Sequence, residues 1–249
     1  MAPSSSAPEA QLLAPLPPLP TDRRFTYAEL AARQQQFPSW TSWVLKRLSL
    51  TIVVALQGLP LTPNVFSVVS VGLAVAAVGV LLAGQGWAAW GVFTTLLILS
   101  FCFDQVDGTW ARAKGQGSAF GAFLDPFLDE AKDFLINGAL ILHHYVPLSA
   151  WLGERGLLAA ACAFFTLKAC YYLARNSEPA PRRAGIPVRE LRPWHVSLGA
   201  DKYVFAFPAA AASVHVCAAF LAAYAVLYAV FLACILHKKA RRLAGGAGA

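Results

Sequence analysis

The sequence predicts an all-α fold: a polytopic membrane protein with six transmembrane helices, preceded by N-terminal amphipathic juxtamembrane helices. Three observations predict it. The chain of 249 residues is 57% hydrophobic and only 13% charged, where soluble domains average roughly 25% charged residues. Apolar runs of the ~20 residues that cross a bilayer recur between short turns rich in Gly and Pro. The basic residues gather at alternate turns, the asymmetry that orients helices in a membrane.

Residues 1–22 are Pro, Ser and Ala punctuated, with no basic start and no unbroken apolar run. They read as a disordered tail rather than a secretory signal. Residues 23–58 read as juxtamembrane helices. Thr26 and Glu29 have capping-box spacing, and Trp40 and Trp43 flank a segment to Leu56 with Lys46 and Arg47 inside it. Its apolar part, Leu48 to Leu56, is too short to span, so it is expected at the membrane surface.

The six-span domain is expected over residues 59–238, and a basic, Gly-rich tail over 239–249. In "LTPN", Thr62 suits an N-cap and Pro63 the first helical position. The first span runs from Asn64 to Ala83 and "GQGW" turns the chain. Further spans follow from about Ala88 to Arg112, Ala119 to Tyr145 and Leu157 to Ala174, with "AKGQGS" and "VPLSAWLGERG" as turns. Tyr203 to Leu236 is too long for one ordinary span at 1.5 Å per residue. The loop before it carries Arg175, Arg182, Arg183, Arg189 and Arg192, and the tail after it carries Lys238, Lys239, Arg241 and Arg242. Both should be cytoplasmic, so an even number of crossings separates them and a break is expected near Ser213 to His215. The result is a multi-pass cell-membrane protein with both termini inside.

Composition excludes other classes. Cys102, Cys162, Cys170, Cys217 and Cys234 lie in apolar runs without C-x-x-C spacing, which speaks against redox and zinc sites. His143, His144, His215 and His237 read as interfacial or structural. Nucleic acid is not an expected partner.

Six of the 13 acidic residues fall between Asp104 and Asp133. Ionisable groups inside spans are expensive, so they point to function. Asp104, Asp107, Gly108 and Ala111 share one helix face, and Arg112 continues it. Across the turn Gly121, Asp125 and Asp129 recur every four residues on the next helix. Two helices joined by a short turn pack together, so four carboxylates converge near the cytoplasmic boundary. They cannot all stay ionised without a cation. Oxygen-only donors suit Mg²⁺ or Mn²⁺, and four carboxylates suffice for two ions. Such an ion and Arg112 both suit a phosphate ester. Small residues at Gly108, Ala111 and Gly121 leave room for a flat ligand. Asp133 continues the Asp125–Asp129 face, with Lys132 beside it, and reads equally as site or ion pair.

The run Asp104-x-x-Asp107-Gly108-x-x-Ala111-Arg112, then Gly121, Asp125 and Asp129 at their fixed spacings, resembles the signature of the CDP-alcohol phosphotransferases. "LTPN" also resembles an element of that family. The resemblance covers Trp40 to Arg175 well and the last two helices in outline. It implies six spans and transfer of a substituted phosphate from a CDP-alcohol to an acceptor hydroxyl, with release of CMP, in phospholipid biosynthesis. It implies that Asp104, Asp107 and Asp125 bind metal and that Asp129 is the general base and touches a second metal. Arg112 would hold a phosphate, while Gly108, Ala111 and Gly121 would shape the cytidine pocket.

Its partners would be CDP-alcohol and polar alcohol substrates and membrane lipids, with a homodimer as an open expectation. CDP-diacylglycerol is the preferred donor, and a soluble CDP-alcohol such as CDP-inositol is the alternative. The acceptor reading rests on Lys168 and Arg175 in the fourth span. Either they form an anion pocket for inositol phosphate or glycerol phosphate, or Lys168 snorkels to the interface. Leu173 stands where inositol-phosphate-type members would carry lysine. A membrane cation-binding or transport protein is the rival class. It predicts acids strung across several depths, whereas these sit at one end of two helices.

Overall fold

The computed structural model describes residues 24–32, 40–176 and 201–246. The Pro-rich tail, Arg33, the arginines between 182 and 192 and residues 247–249 lie outside the described residues. Those residues form α1 (Tyr27–Ala32), α2 (Trp40–Leu56), α3 (Pro63–Ala83), α4 (Trp87–Lys114), α5 (Ala119–His143) and α6 (Tyr145–Asn176). A π-helical turn at Lys202–Ala206 leads into α7 (Phe207–Ala212), and α8 spans Val214–Gly246. No strand occurs among the described residues.

Four of these helices, α3, α4, α6 and α8, are long and apolar enough to cross a membrane. Two of the six expected spans fall short of that description. Helix α5 has 25 residues, but Asp125, Asp129, Glu130, Lys132 and Asp133 lie within it. The π-helical turn and α7 have 5 and 6 residues, well under a bilayer's thickness. The break expected near Ser213 is present: Ser213 is extended (φ −145°, ψ 126°) between α7 and α8.

Local chemistry sets the boundaries. Thr26 and Glu29 form the expected capping box, with Thr26 N donating to Glu29 Oε2 at 2.8 Å and Glu29 N to Thr26 Oγ1 at 3.3 Å. Pro63 opens α3, but the Thr62 side chain makes no capping hydrogen bond, a correction to its expected role. "VPLSAWLGERG", expected as a loop, is helical apart from a break at Gly153 (φ 69°, ψ 158°). Packing overrides the poor helix propensity of Pro147, Gly153 and Gly156, and Gly153 takes the left-handed φ that glycine tolerates.

The core lies where α3, α4, α5, α7 and α8 meet, around Leu81, Phe93, Leu97, Ile136, Leu140, Phe207 and Cys217. A second core joins α1 and α2 to α3 and α4 through Leu30, Leu50, Val53, Phe66, Val106 and Trp110. Trp110 Nε1 donates to the Leu61 carbonyl at 3.1 Å, fixing the "LTPN" segment against α4. Helix α2 is therefore packed on the bundle. The Lys239 ammonium reaches the Ala174 carbonyl at 3.0 Å, bringing the basic end of α8 to the C-terminal end of α6. The start of α3, the end of α4, the start of α5, the end of α6 and the π-helical turn surround one region.

Candidate active site

The turn between α4 and α5 aligns the two acidic faces. Gly115 ends α4 in the left-handed region (φ 65°, ψ 24°), its N–H on the Ala111 carbonyl. A side chain at this φ would be strained. Ser118 then caps α5, its Oγ accepting from Gly121 N at 2.9 Å. Gly121 allows this close approach, since a Cβ there would stand 3.2 Å from that hydroxyl. A Cβ on Gly108 would stand 3.2 Å from Arg112 Nη1, so the guanidinium lies across the glycine beside the carboxylates.

Carboxylate oxygens of Asp104, Asp107 and Asp125 lie within 4.8 Å of one another. Ser67 of α3 donates to Asp107 Oδ2 at 2.6 Å, and the Gly108 N–H bonds its other oxygen. The donor set is oxygen only, preorganised at one point and without Cys or His, so it fits a hard divalent ion such as Mg²⁺ or Mn²⁺.

Asp129 is not one of these three residues, and a shared lysine, Lys132, joins it to Asp104. Buried, this lysine holds Asp104, reaches Asp129 at 3.0 Å and donates to Ser70 Oγ at 3.2 Å. Asp129 is half-exposed and lines a cavity of about 300 Å³. Lys168 and Arg175 line that cavity as well. Lys168 is 1% exposed and does not snorkel. Its ammonium pairs with Glu130 and stands 3.4 Å from Asp133. Asp133 is an ion-pair member: Lys202 of the π-helical turn pairs with it and Tyr203 donates to it at 3.2 Å.

Four residues escaped sequence reasoning. Ser67 and Lys132 reach the trio, Lys202 reaches Asp133, and Lys46 of α2 donates to Thr109 Oγ1 at 2.8 Å. Lys46 is buried rather than facing the membrane surface. Burial, helped by the nearby Arg112 guanidinium, pushes its ammonium down to about 7 against the pull of Asp107 and Asp104. The hydrogen bond from Lys46 to Thr109, one turn before Arg112, is a contact between helices that local spacing does not reveal.

A carboxylate trio, an adjoining guanidinium and a cavity beside a further aspartate make an arrangement that could hold a divalent ion and a phosphate ester. The profile of the family described as CDP-alcohol phosphatidyltransferase matches residues 60–237, and the chain belongs to that family. It is similar to phosphatidylinositol phosphate synthase of Corynebacterium glutamicum, 42% identical over 82 residues (33% of this chain, 36% of the relative). It is 32% identical over 104 residues to archaetidylinositol phosphate synthase of Aeropyrum pernix (41% of this chain, 50% of the relative). CDP-diacylglycerol–glycerol-3-phosphate 3-phosphatidyltransferase of Cereibacter sphaeroides is 36% identical over 92 residues (36% of this chain, 40% of the relative). The chain thus spans between about a third and half of the length of these curated relatives.

Proposed function

We propose that this protein transfers a substituted phosphate from a CDP-alcohol, CDP-diacylglycerol foremost, to the hydroxyl of a polar alcohol, with release of CMP, in phospholipid synthesis. The observation that carries the proposal is the trio of Asp104, Asp107 and Asp125, with Arg112 beside it and a cavity next to Asp129. Family membership supports the same chemistry. The reaction site would face the cytoplasm, where a lipid donor meets a water-soluble acceptor.

Asp104, Asp107 and Asp125 would hold the divalent ion, which when bound neutralises charge on the pyrophosphate oxygens. Arg112 would bind a donor phosphate through its fork of N–H groups. Gly108 admits the Arg112 guanidinium and Gly121 the Ser118 hydroxyl close to the backbone, and with Ala111 on the same face they would shape the nucleotide end. Asp129 would accept the proton of the acceptor hydroxyl. The hydroxyl oxygen then bonds to the β-phosphorus as the bond to the CMP oxygen breaks. Lys132 orients Asp129 from the buried side.

Purified full-length protein in detergent should release CMP from CDP-diacylglycerol with Mg²⁺ or Mn²⁺ and an acceptor alcohol, and EDTA should stop it. Asp129→Asn should lower kcat by about 100-fold or more while CMP binding persists. Normal turnover in that variant would sink the base assignment.

A further inference from the structure

We propose that Lys46 of α2 is a positioning residue for the donor: its buried ammonium answers the negative charge of the donor's pyrophosphate and keeps the Arg112 guanidinium turned over Gly108 to meet it. The inference rests on the transfer reading above and adds to its donor side a residue from outside the aspartate motif.

Taking an ammonium out of water is costly, so a buried lysine calls for a cause. Lys46 is 6% exposed, although Arg47 beside it is exposed. Its Nζ donates to Thr109 Oγ1 at 2.8 Å, and that hydroxyl donates in turn to the Gln105 carbonyl at 2.8 Å. Thr109 adjoins Gly108 and stands one turn before Arg112. One turn along α2, Ser49 donates to the Cys102 carbonyl at 3.1 Å. These bonds lock α2 onto α4 and anchor the ammonium at the turn that carries the donor-side residues. There it feels the charges of Arg112, Asp107 and Asp104.

Charge says what the ammonium is for. With a divalent ion bound, the carboxylates of Asp104, Asp107 and Asp125 would be offset by the ion and Arg112, and Lys132 offsets Asp129. The donor then adds a negative charge on each phosphate. Lys46 supplies positive field for it from the α2 side, next to Arg112. Two neighbouring cations also repel. Lys46 thereby turns the guanidinium toward Gly108, where a Cβ would stand 3.2 Å from Nη1.

Burial and Arg112 push this ammonium down to about 7, so near neutral pH part of the free protein lacks the charge. A bound pyrophosphate favours the charged form and moves the value up. Donor affinity is then full below about 7 and falls as pH rises through that value. The other titratable groups around α2 are engaged elsewhere. Lys114 of α4 lies 4.0 Å over the Trp110 ring, Cys102 packs with Leu45, and Glu29 of α1 bonds to Thr26. Beside the π-helical turn Asp201 accepts from Thr41, and Lys202 pairs with Asp133.

The test uses the full-length protein in detergent with saturating Mn²⁺. The Kd of CDP-diacylglycerol is measured by calorimetry without acceptor, and its KM from CMP release with acceptor. At about pH 6, Lys46→Met should raise both by about tenfold, the equivalent of one pKa unit, with kcat changed by less than about twofold. In the wild type the same rise should appear between about pH 6 and about pH 9. Lys46→Arg keeps its charge throughout and should hold the low value across that range. Wild-type affinity in Lys46→Met at the acid end overturns the inference, and so does a rise in Lys46→Arg equal to that of the wild type. The wild-type series stands whether or not either variant folds: a donor Kd that does not rise with pH overturns the inference by itself. Binding of CDP-diacylglycerol with this dependence on Lys46, but without metal-dependent CMP release, is a failure of the transfer reading alone.

Discussion

Ser67 reaches across from α3 and donates to Asp107 at 2.6 Å. Partners of this kind fix the orientation of a metal-binding carboxylate, and their loss typically lowers metal affinity 10- to 100-fold. Ser67→Ala should therefore weaken Mn²⁺ binding by about 10-fold, read from the paramagnetic signal of free Mn²⁺, with the helical content unchanged. This serine also marks how far single residues were legible. The aspartate motif could be read because its members lie on two consecutive helices at helical spacing. Ser67 sits in an apolar run whose facing helix is set only by tertiary packing. Lys132 looked like a neighbour for Asp133 and instead holds Asp104 and Asp129. Lys46 and Arg47 looked alike as cytoplasmic charges, yet packing α2 on α4 buries the first and leaves the second exposed.

At the scale of elements, the hairpin of α4 and α5 depends on two small residues. Gly115→Ala places a Cβ in the left-handed region and should cost about 1 kcal/mol. Ser118→Ala removes the α5 cap and should cost about 1 kcal/mol as well. Both are measurable as lowered unfolding temperatures in mild detergent. Activity should fall more steeply than stability, because the same turn sets Asp125 against Asp104 and Asp107. Helix positions were legible wherever Gly or Pro punctuates them, as at Pro63, Gly84 and Gly115. The break at Ser213 carries neither residue and emerged from charge parity between the flanking basic segments. The stretch before Leu157 was not legible, because Pro147, Gly153 and Gly156 signal a turn while the chain stays helical except at Gly153. Six expected spans also rested on apolarity and parity, which do not report how short α7 is or how many charges α5 carries.

At the scale of the whole molecule, the basic ends of the helices predict one orientation. In a cysteine-free background, Gln116→Cys should react with a membrane-impermeant thiol reagent only after the membrane is opened. Gln85→Cys should react in intact cells. The reverse pattern would place the carboxylate site outside and overturn the proposed access of a cytoplasmic acceptor.

The charge on α5 has a consequence for how the protein is made. Carrying an aspartate or lysine into the middle of a bilayer opposes insertion by roughly 2.5–3.5 kcal/mol, and α5 bears several charged groups with partners elsewhere in the chain. Asp104 precedes it, while Lys168 and Lys202 follow it by 35 residues or more from Asp133. As the ribosome releases α5, the acids that face α6 still lack their ammonium groups. Were α5 to enter lipid, it would await synthesis of the downstream helices, so this end of the bundle is expected to assemble as one cooperative event rather than helix by helix.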